Sequence, residues 1–287
     1  MKPTSKILLN KITDEVVISI LNDIVPTLNG LGIEYFIVGA FARDIALFEK
    51  GHEYPPKRKT KDIDLAVMVS SLQEYEQLKE EIAGLSGYEP HPEEPYRFQY
   101  KNAYEVDFLP FGGITDEKGH AELKAKKVFV LEIPGFEEVF DWVETILTKE
   151  GIELKVSPLA GIVLLKIIAW DDKKGREKDI QDIAYILENF YILHIEEIAE
   201  EADELFEVYA DESLYFDECV SARYVGRKIA NILHRSPVLL ERVINILKRE
   251  TQDSRKSQMG ALMKNYPLEA AVKVIQQILF GIKDKKS

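Results

Sequence analysis

The chain has 287 residues, 46% hydrophobic and 30% charged, with a formal net charge of −13. That balance belongs to a globular protein and excludes wholesale disorder. An acidic total argues against a broad nucleic-acid footprint, yet leaves room for a small basic mouth around one nucleotide or one RNA end. The apolar run Leu159 to Trp170 is cut by Lys166 and falls short of a membrane span. Asp14 and Glu15 follow the apolar patch Ile7-Leu8-Leu9 with no cleavage-like site, so no secretory signal is expected. One cysteine, Cys219, excludes internal disulfides and fits a reducing, cytoplasmic setting.

In chain order, residues 13–30 read as an amphipathic helix, with Pro26 expected to kink or end it. Ile33 to Val38 is a short β-rich run stopping at Gly39, and Ala40 to Phe48 returns to helix. A polar, proline-containing loop carries the basic run Lys57-Arg58-Lys59 with Lys61, beside the strand Ile63 to Val69. Ser70 or Ser71 caps a helix reaching about Leu85. Arg97 to Lys101 and Tyr104 to Leu109 form a hairpin across Asn102-Ala103, and a strand near Lys127 to Ile133 closes the set. Beyond about residue 150 the pattern turns helical. Ser157-Pro158 and Ser236-Pro237 are helix starts, Ile180, Ile183, Ala184 and Leu187 share one apolar face, and Ala271, Val274, Ile275 and Ile278 mark a last helix. The expected architecture is α/β (α+β): a mixed sheet flanked by helices over residues 1–150, then a helical domain over 151–287.

The chemistry concentrates in Asp62-Ile63-Asp64. Two aspartates one residue apart on a strand project from the same face with Cα atoms roughly 6.5–7 Å apart. They can share divalent cations. The small-residue turn at Gly39 and Ala40 offers backbone N–H groups to a phosphate. Two-metal nucleotidyl transfer needs a third carboxylate, since one ion lowers the pKa of the attacking hydroxyl while the other holds the triphosphate. Asp107 lies on an otherwise apolar strand and is the candidate; Glu105, on the same face, competes with it. Two Mg²⁺ ions suit such an all-oxygen set. Lys166 sits mid-helix among apolar residues and needs a phosphate or a carboxylate as partner, or a path to solvent.

The glycine turn, the D-x-D strand and the later aspartate resemble the DNA polymerase β type nucleotidyltransferase superfamily. Val38-Gly39-Ala40-Phe41-Ala42-Arg43-Asp44 with Asp62-Ile63-Asp64-Leu65 is similar to two branches, the class II CCA-adding enzymes with bacterial poly(A) polymerases, and the AbiEii-like toxins. Lys166-Ile167-Ile168-Ala169, then Arg176 and Asp179-Ile180-Gln181-Asp182, resembles the second branch. That resemblance covers roughly residues 30–190. It implies a fold of the nucleotidyltransferase type, an NTP as substrate, Lys166 approaching the triphosphate with Asp179 in support, and membership of a toxin–antitoxin or abortive-infection system with an antitoxin as a possible partner. Arg43 or Lys166 would offset phosphate charge, and Asp44 is expected to partner Arg43 or the loop. This chain has Gly-Ala where the family turn usually has Gly-Gly or Gly-Ser, so a phosphate-contacting hydroxyl is absent. The acceptor stays open among an RNA 3′ end, a protein hydroxyl and a small molecule. The alternative is a non-catalytic nucleotide- or partner-binding protein that keeps the fold; three converging carboxylates argue against it. The five histidines lack metal-ligand spacing, Cys219 lies in an acidic neighbourhood that disfavours a thiolate, and Trp170 reads as core rather than a base-stacking platform. Gly112-Gly113 suits either an ordinary turn or close substrate approach.

Overall fold

A computed structural model describes residues 7–51, 60–124, 128–173, 175–212 and 214–284. The basic run Lys57-Arg58-Lys59, together with His52, Lys126, Lys127 and Lys174, lies outside these described residues.

Asp14 starts helix α1 (Glu15–Leu31), its carboxylate accepting the free N–H groups of Val16 and Val17. Pro26 lies inside α1 and does not end it; the helix runs on to Gly32, whose φ of 69° terminates it in the left-handed region. The missing donor costs one backbone hydrogen bond, and six buried side chains on the inner face outweigh that loss. Strand β1 (Tyr35–Val38) is buried throughout, and the chain passes directly into α2 (Gly39–Glu49). Strand β2 (Asp62–Met68) precedes α3 (Leu72–Gly84), which is capped reciprocally: Ser71 accepts from the Glu74 N–H, and the Glu74 carboxylate accepts from the Ser70 N–H at 2.6 Å. After β3 (Tyr88–Pro90), strands β4 (Arg97–Tyr100) and β5 (Tyr104–Phe111) form the expected hairpin. Lys101 and Asn102 take positive φ in its turn, as tight hairpins require.

The strand expected near Lys127 to Ile133 does exist as β7 (Phe129–Glu132), but it pairs with β6 (His120–Leu123) in a separate two-stranded sheet. Following α4 (Phe136–Phe140), a hairpin that sequence reading missed, β8 (Glu144–Leu147) and β9 (Glu153–Val156), completes the main sheet. Residues on both sides of 150 therefore belong to that sheet. Its seven strands run β3-β4-β5-β2-β1-β9-β8, with β2 parallel to β5 and antiparallel to β1. Phe36, Phe111, Phe136 and Phe140 pack edge-on or tilted with centroids 5.5–6.3 Å apart beneath it. The buried Tyr75 hydroxyl donates to the Phe108 carbonyl at 2.7 Å and fastens α3 to β5, one residue from Asp107.

Main-chain proximity divides the described residues into two units: those of 7–49 with 60–158, and 50–51 with those from 159 onward. The second is helical: α5 (Leu159–Asp172), α6 (Glu177–Glu201), α7 (Glu204–Val208), α8 (Phe216–Ile232), α9 (Pro237–Thr251), α10 (Gln258–Leu262) and α11 (Leu268–Lys283). Pro237 holds the first position of α9 as its Ser-Pro signature predicts, and the inner faces predicted for α6 and α11 are buried. Helices α8 and α11 touch backbone to backbone: a Cβ on Gly281 would stand 1.9 Å from the Arg223 carbonyl oxygen. No helix among the described residues is long and apolar enough to cross a membrane.

Candidate active site

One row across the main sheet carries the predicted chemistry. Val38 of β1 faces Asp64 of β2, Asp64 faces Asp107 of β5, and Asp107 faces Arg97 of β4. Asp62 faces Glu105 one step along. Opposed residues on paired strands share a face, with strands about 4.8 Å apart. The register thus puts Asp62, Asp64 and Asp107 on one face of the sheet, with Glu105 opposite Asp62.

Gly39 closes the row at β1. Its φ of 71° suits glycine, and a Cβ there would stand 2.1 Å from Asp64 Oδ2. The start of α2 is therefore pressed onto the Asp64 carboxylate. Gly39 and Ala40 are the first two residues of that helix, where backbone N–H groups lack intrahelical acceptors. Behind them Arg43 donates from Nε and Nη2 to Asp44 Oδ1 at 2.8 and 2.5 Å, and the Asp44 side chain is 3% exposed. Asp44 is the partner of Arg43, as expected.

Arg97 was not foreseen. It donates from Nε to Asp107 Oδ1 at 2.7 Å and from Nη2 to Oδ2 at 2.8 Å, while Nη1 reaches Glu94 and Glu105 at 2.8 and 2.9 Å. Burial pushes the Asp107 carboxyl above its ordinary value, and the guanidinium pulls it back only in part. The signal for Arg97 was available: a charged residue at the open end of a hairpin strand, opposite a charged residue on the partner. Reading each strand separately missed it.

The donors suit a hard divalent ion in kind, since all are carboxylate oxygens and the turn packed on Asp64 tolerates no side chain at Gly39. Their disposition is less complete. Among the described residues, no three His, Cys, Asp or Glu side chains are gathered closely enough to hold a metal. Asp107, the expected third ligand, gives both oxygens to Arg97.

In the helical unit, Lys166 is buried and paired with Asp179 at 2.9 Å and Asp182 at 2.6 Å; Arg176 adds its Nε to Asp179. Lys166 thus has carboxylate partners and no path to solvent. Trp170 is half-buried and lines a cleft of about 830 Å³, with the Arg249 guanidinium 5.9 Å from its ring. Three cations lining that cleft meet acids: Arg176 pairs with Asp179, Arg249 with Asp171, and Lys256 with Asp253. Burial raises the Cys219 thiol to about 11, which removes it as a nucleophile. Gly113 packs on the Ser70 backbone, as an ordinary turn would.

A model of the family described as "Nucleotidyl transferase AbiEii toxin, Type IV TA system" matches residues 45–278. The chain belongs to this AbiEii family. It is a nucleotidyltransferase, and the match spans the D-x-D strand, Asp107 and the Lys166–Asp182 segment while Gly39 lies just before it. Solved structures similar to this AbiEii chain include the antibiotic-resistance factor ANT(2'')-Ia, at 15% identity and a TM-score of 0.36, covering 78% of this chain and 98% of that one. A nucleotidyltransferase-like protein from Paracoccidioides brasiliensis aligns at 14% identity and a TM-score of 0.39, over 67% of this chain and 92% of its own. The Thermotoga maritima CCA-adding enzyme complexed with tRNA aligns at 12% identity and a TM-score of 0.32, over 96% and 82%. Among curated proteins there is no significant match.

Proposed function

We propose that this AbiEii-family chain moves an NMP from an NTP to a hydroxyl acceptor and releases pyrophosphate. The observation that carries the reading is the row Gly39–Asp64–Asp107, in which a helix start lies against a carboxylate that faces another in register. In the reaction the acceptor oxygen bonds to the α-phosphorus, the bond to the β-phosphate oxygen breaks, and the acceptor proton leaves to a base. Asp107 is that base in this reading: it is 6% exposed and faces Asp64 in register. Asp62 and Asp64, with Asp107, would hold two Mg²⁺ ions, which when bound supply neutralisation of the triphosphate and activation of the hydroxyl. Backbone N–H groups at Gly39 and Ala40 hold a phosphate. Arg43 and Lys166 each already carry a carboxylate and would have to share it to meet phosphate. Asp44 and Asp179 support them.

The acceptor is an RNA 3′ end, a protein or a small molecule; the family description supports a toxin with a cognate antitoxin, and in this reading it acts in the cytoplasm. Incubating the protein and Mg²⁺ with each α-labelled NTP, against total RNA, cell protein and small hydroxyl compounds in turn, tests the proposal. Label transfer that disappears in Asp64→Asn supports it. Tight NTP binding with no pyrophosphate release for any acceptor would leave a binding protein that keeps the fold.

A further inference from the structure

The Arg97 guanidinium spends all three of its nitrogens on carboxylates, and two of those contacts close a fork on Asp107. The Arg97 side chain is 22% exposed, and the Asp107 side chain 9%. A divalent ion binds carboxylate oxygen at about 2.1 Å. Placed on either Asp107 oxygen, it would come within about 5 Å of a guanidinium nitrogen 2.7–2.8 Å away on the other side of that oxygen. Two cations so close, beside a buried carboxylate, are poorly screened by salt. Guanidinium and divalent ion therefore cannot both hold Asp107 at full strength.

We propose that Arg97 is a positioning residue that competes with divalent cations for Asp107, so that the cation site is complete only when the fork opens. This inference rests on the reading of Asp62, Asp64 and Asp107 as the cation site. Without nucleotide, Asp62 and Asp64 alone would hold the ion. Recruiting Asp107 requires Arg97 to turn toward Glu94 and Glu105, the acids it already touches through its third nitrogen. A lysine at 97 would keep the charge but lose the fork, since an ammonium is a point donor that cannot hold both oxygens in one plane.

The test is Mn²⁺ binding to the full chain without nucleotide, followed by electron paramagnetic resonance. Both Arg97→Lys and Arg97→Gln are expected to bind Mn²⁺ at least about fivefold more tightly than the unmodified protein, because a charge-assisted bidentate contact has been removed. Tightening in Arg97→Gln alone would show a general charge effect and overturn the competition, as would unchanged or weaker binding in both. Asp64→Asn separates the two readings. Mn²⁺ binding that it abolishes, with the Arg97 variants unchanged, keeps the carboxylate site and refutes the fork. Binding indifferent to Asp64→Asn removes the site and the inference with it. A readout on the unmodified chain guards against misfolded variants: the Arg97 Nε–H resonance, protected by Asp107, should become exchangeable as Mg²⁺ and a non-hydrolysable NTP are added. A resonance that stays protected at saturation also refutes the exchange.

Discussion

Gly39→Ala separates the geometry of the turn from its stability, because Gly32 provides a matched control. Both glycines take nearly the same positive φ, 71° and 69°, but a Cβ on Gly32 would meet nothing within 4 Å. The left-handed conformation costs a non-glycine residue roughly 1–2 kcal/mol, and loss of glycine's freedom in the unfolded chain offsets about 0.4–1 kcal/mol. Each variant should therefore lose on the order of 1 kcal/mol in urea denaturation. At Gly39 the new methyl also stands 2.1 Å from Asp64 Oδ2, so that oxygen must retreat by about 1.3 Å to reach ordinary contact at 3.4 Å. Turning one short side chain off its rotamer adds only about 0.5–1.5 kcal/mol. For catalysis the displacement is large, since a misplacement of about 1 Å can cost a factor of about 100. Gly32→Ala should then keep its transfer rate, while Gly39→Ala, nearly as stable, should fall about 100-fold in kcat. The assay is NTP-dependent label transfer beside urea melts of both variants. A Gly39→Ala enzyme within a few-fold of Gly32→Ala would refute the claim that this turn sets the position of Asp64.

Two predictions concern the helical unit. Lys166→Met leaves Asp179 and Asp182 with a buried charge excess and should destabilise the fold by about 3 kcal/mol, read from the urea midpoint; a change below about 1 kcal/mol would show that the pairing is not needed. His194 sits at a kink in α6, stacked on Phe190 with centroids 3.9 Å apart, and burial lowers its pKa from the ordinary 6.5. The unfolded chain therefore binds the proton more readily, and stability is full above pH 6.5 and declines as pH falls below it. Thermal melts between pH 7.5 and 5 should show that decline flattened in His194→Gln, and an unchanged slope would assign it elsewhere.

Much of this protein is readable along the chain because its signals are local. The serine cap of α3, the hairpin joining β4 to β5, the proline start of α9 and the alternation of Asp62 and Asp64 each depend on neighbours within a few residues. Pairing between distant segments is not encoded that way. Sequence reading placed β7 with the main sheet, and it pairs instead with β6; it passed over β8 and β9, whose short runs carry charged residues at their ends. Glu144, Glu153 and Lys155 interrupt the apolar pattern because half of each strand faces solvent.

The sequence by itself determined the chemistry at stake: a glycine before a helix, two alternating aspartates, and a third on a later strand are legible because side-chain direction follows from backbone period. Only the tertiary structure decided how those groups are engaged. Strand register set Arg97 opposite Asp107, and helix packing joined Lys166 to Asp179 and Asp182. A buried charge takes whichever opposite charge the fold brings within reach, and that choice is made across ten residues of one hairpin or between two helices, beyond any local pattern.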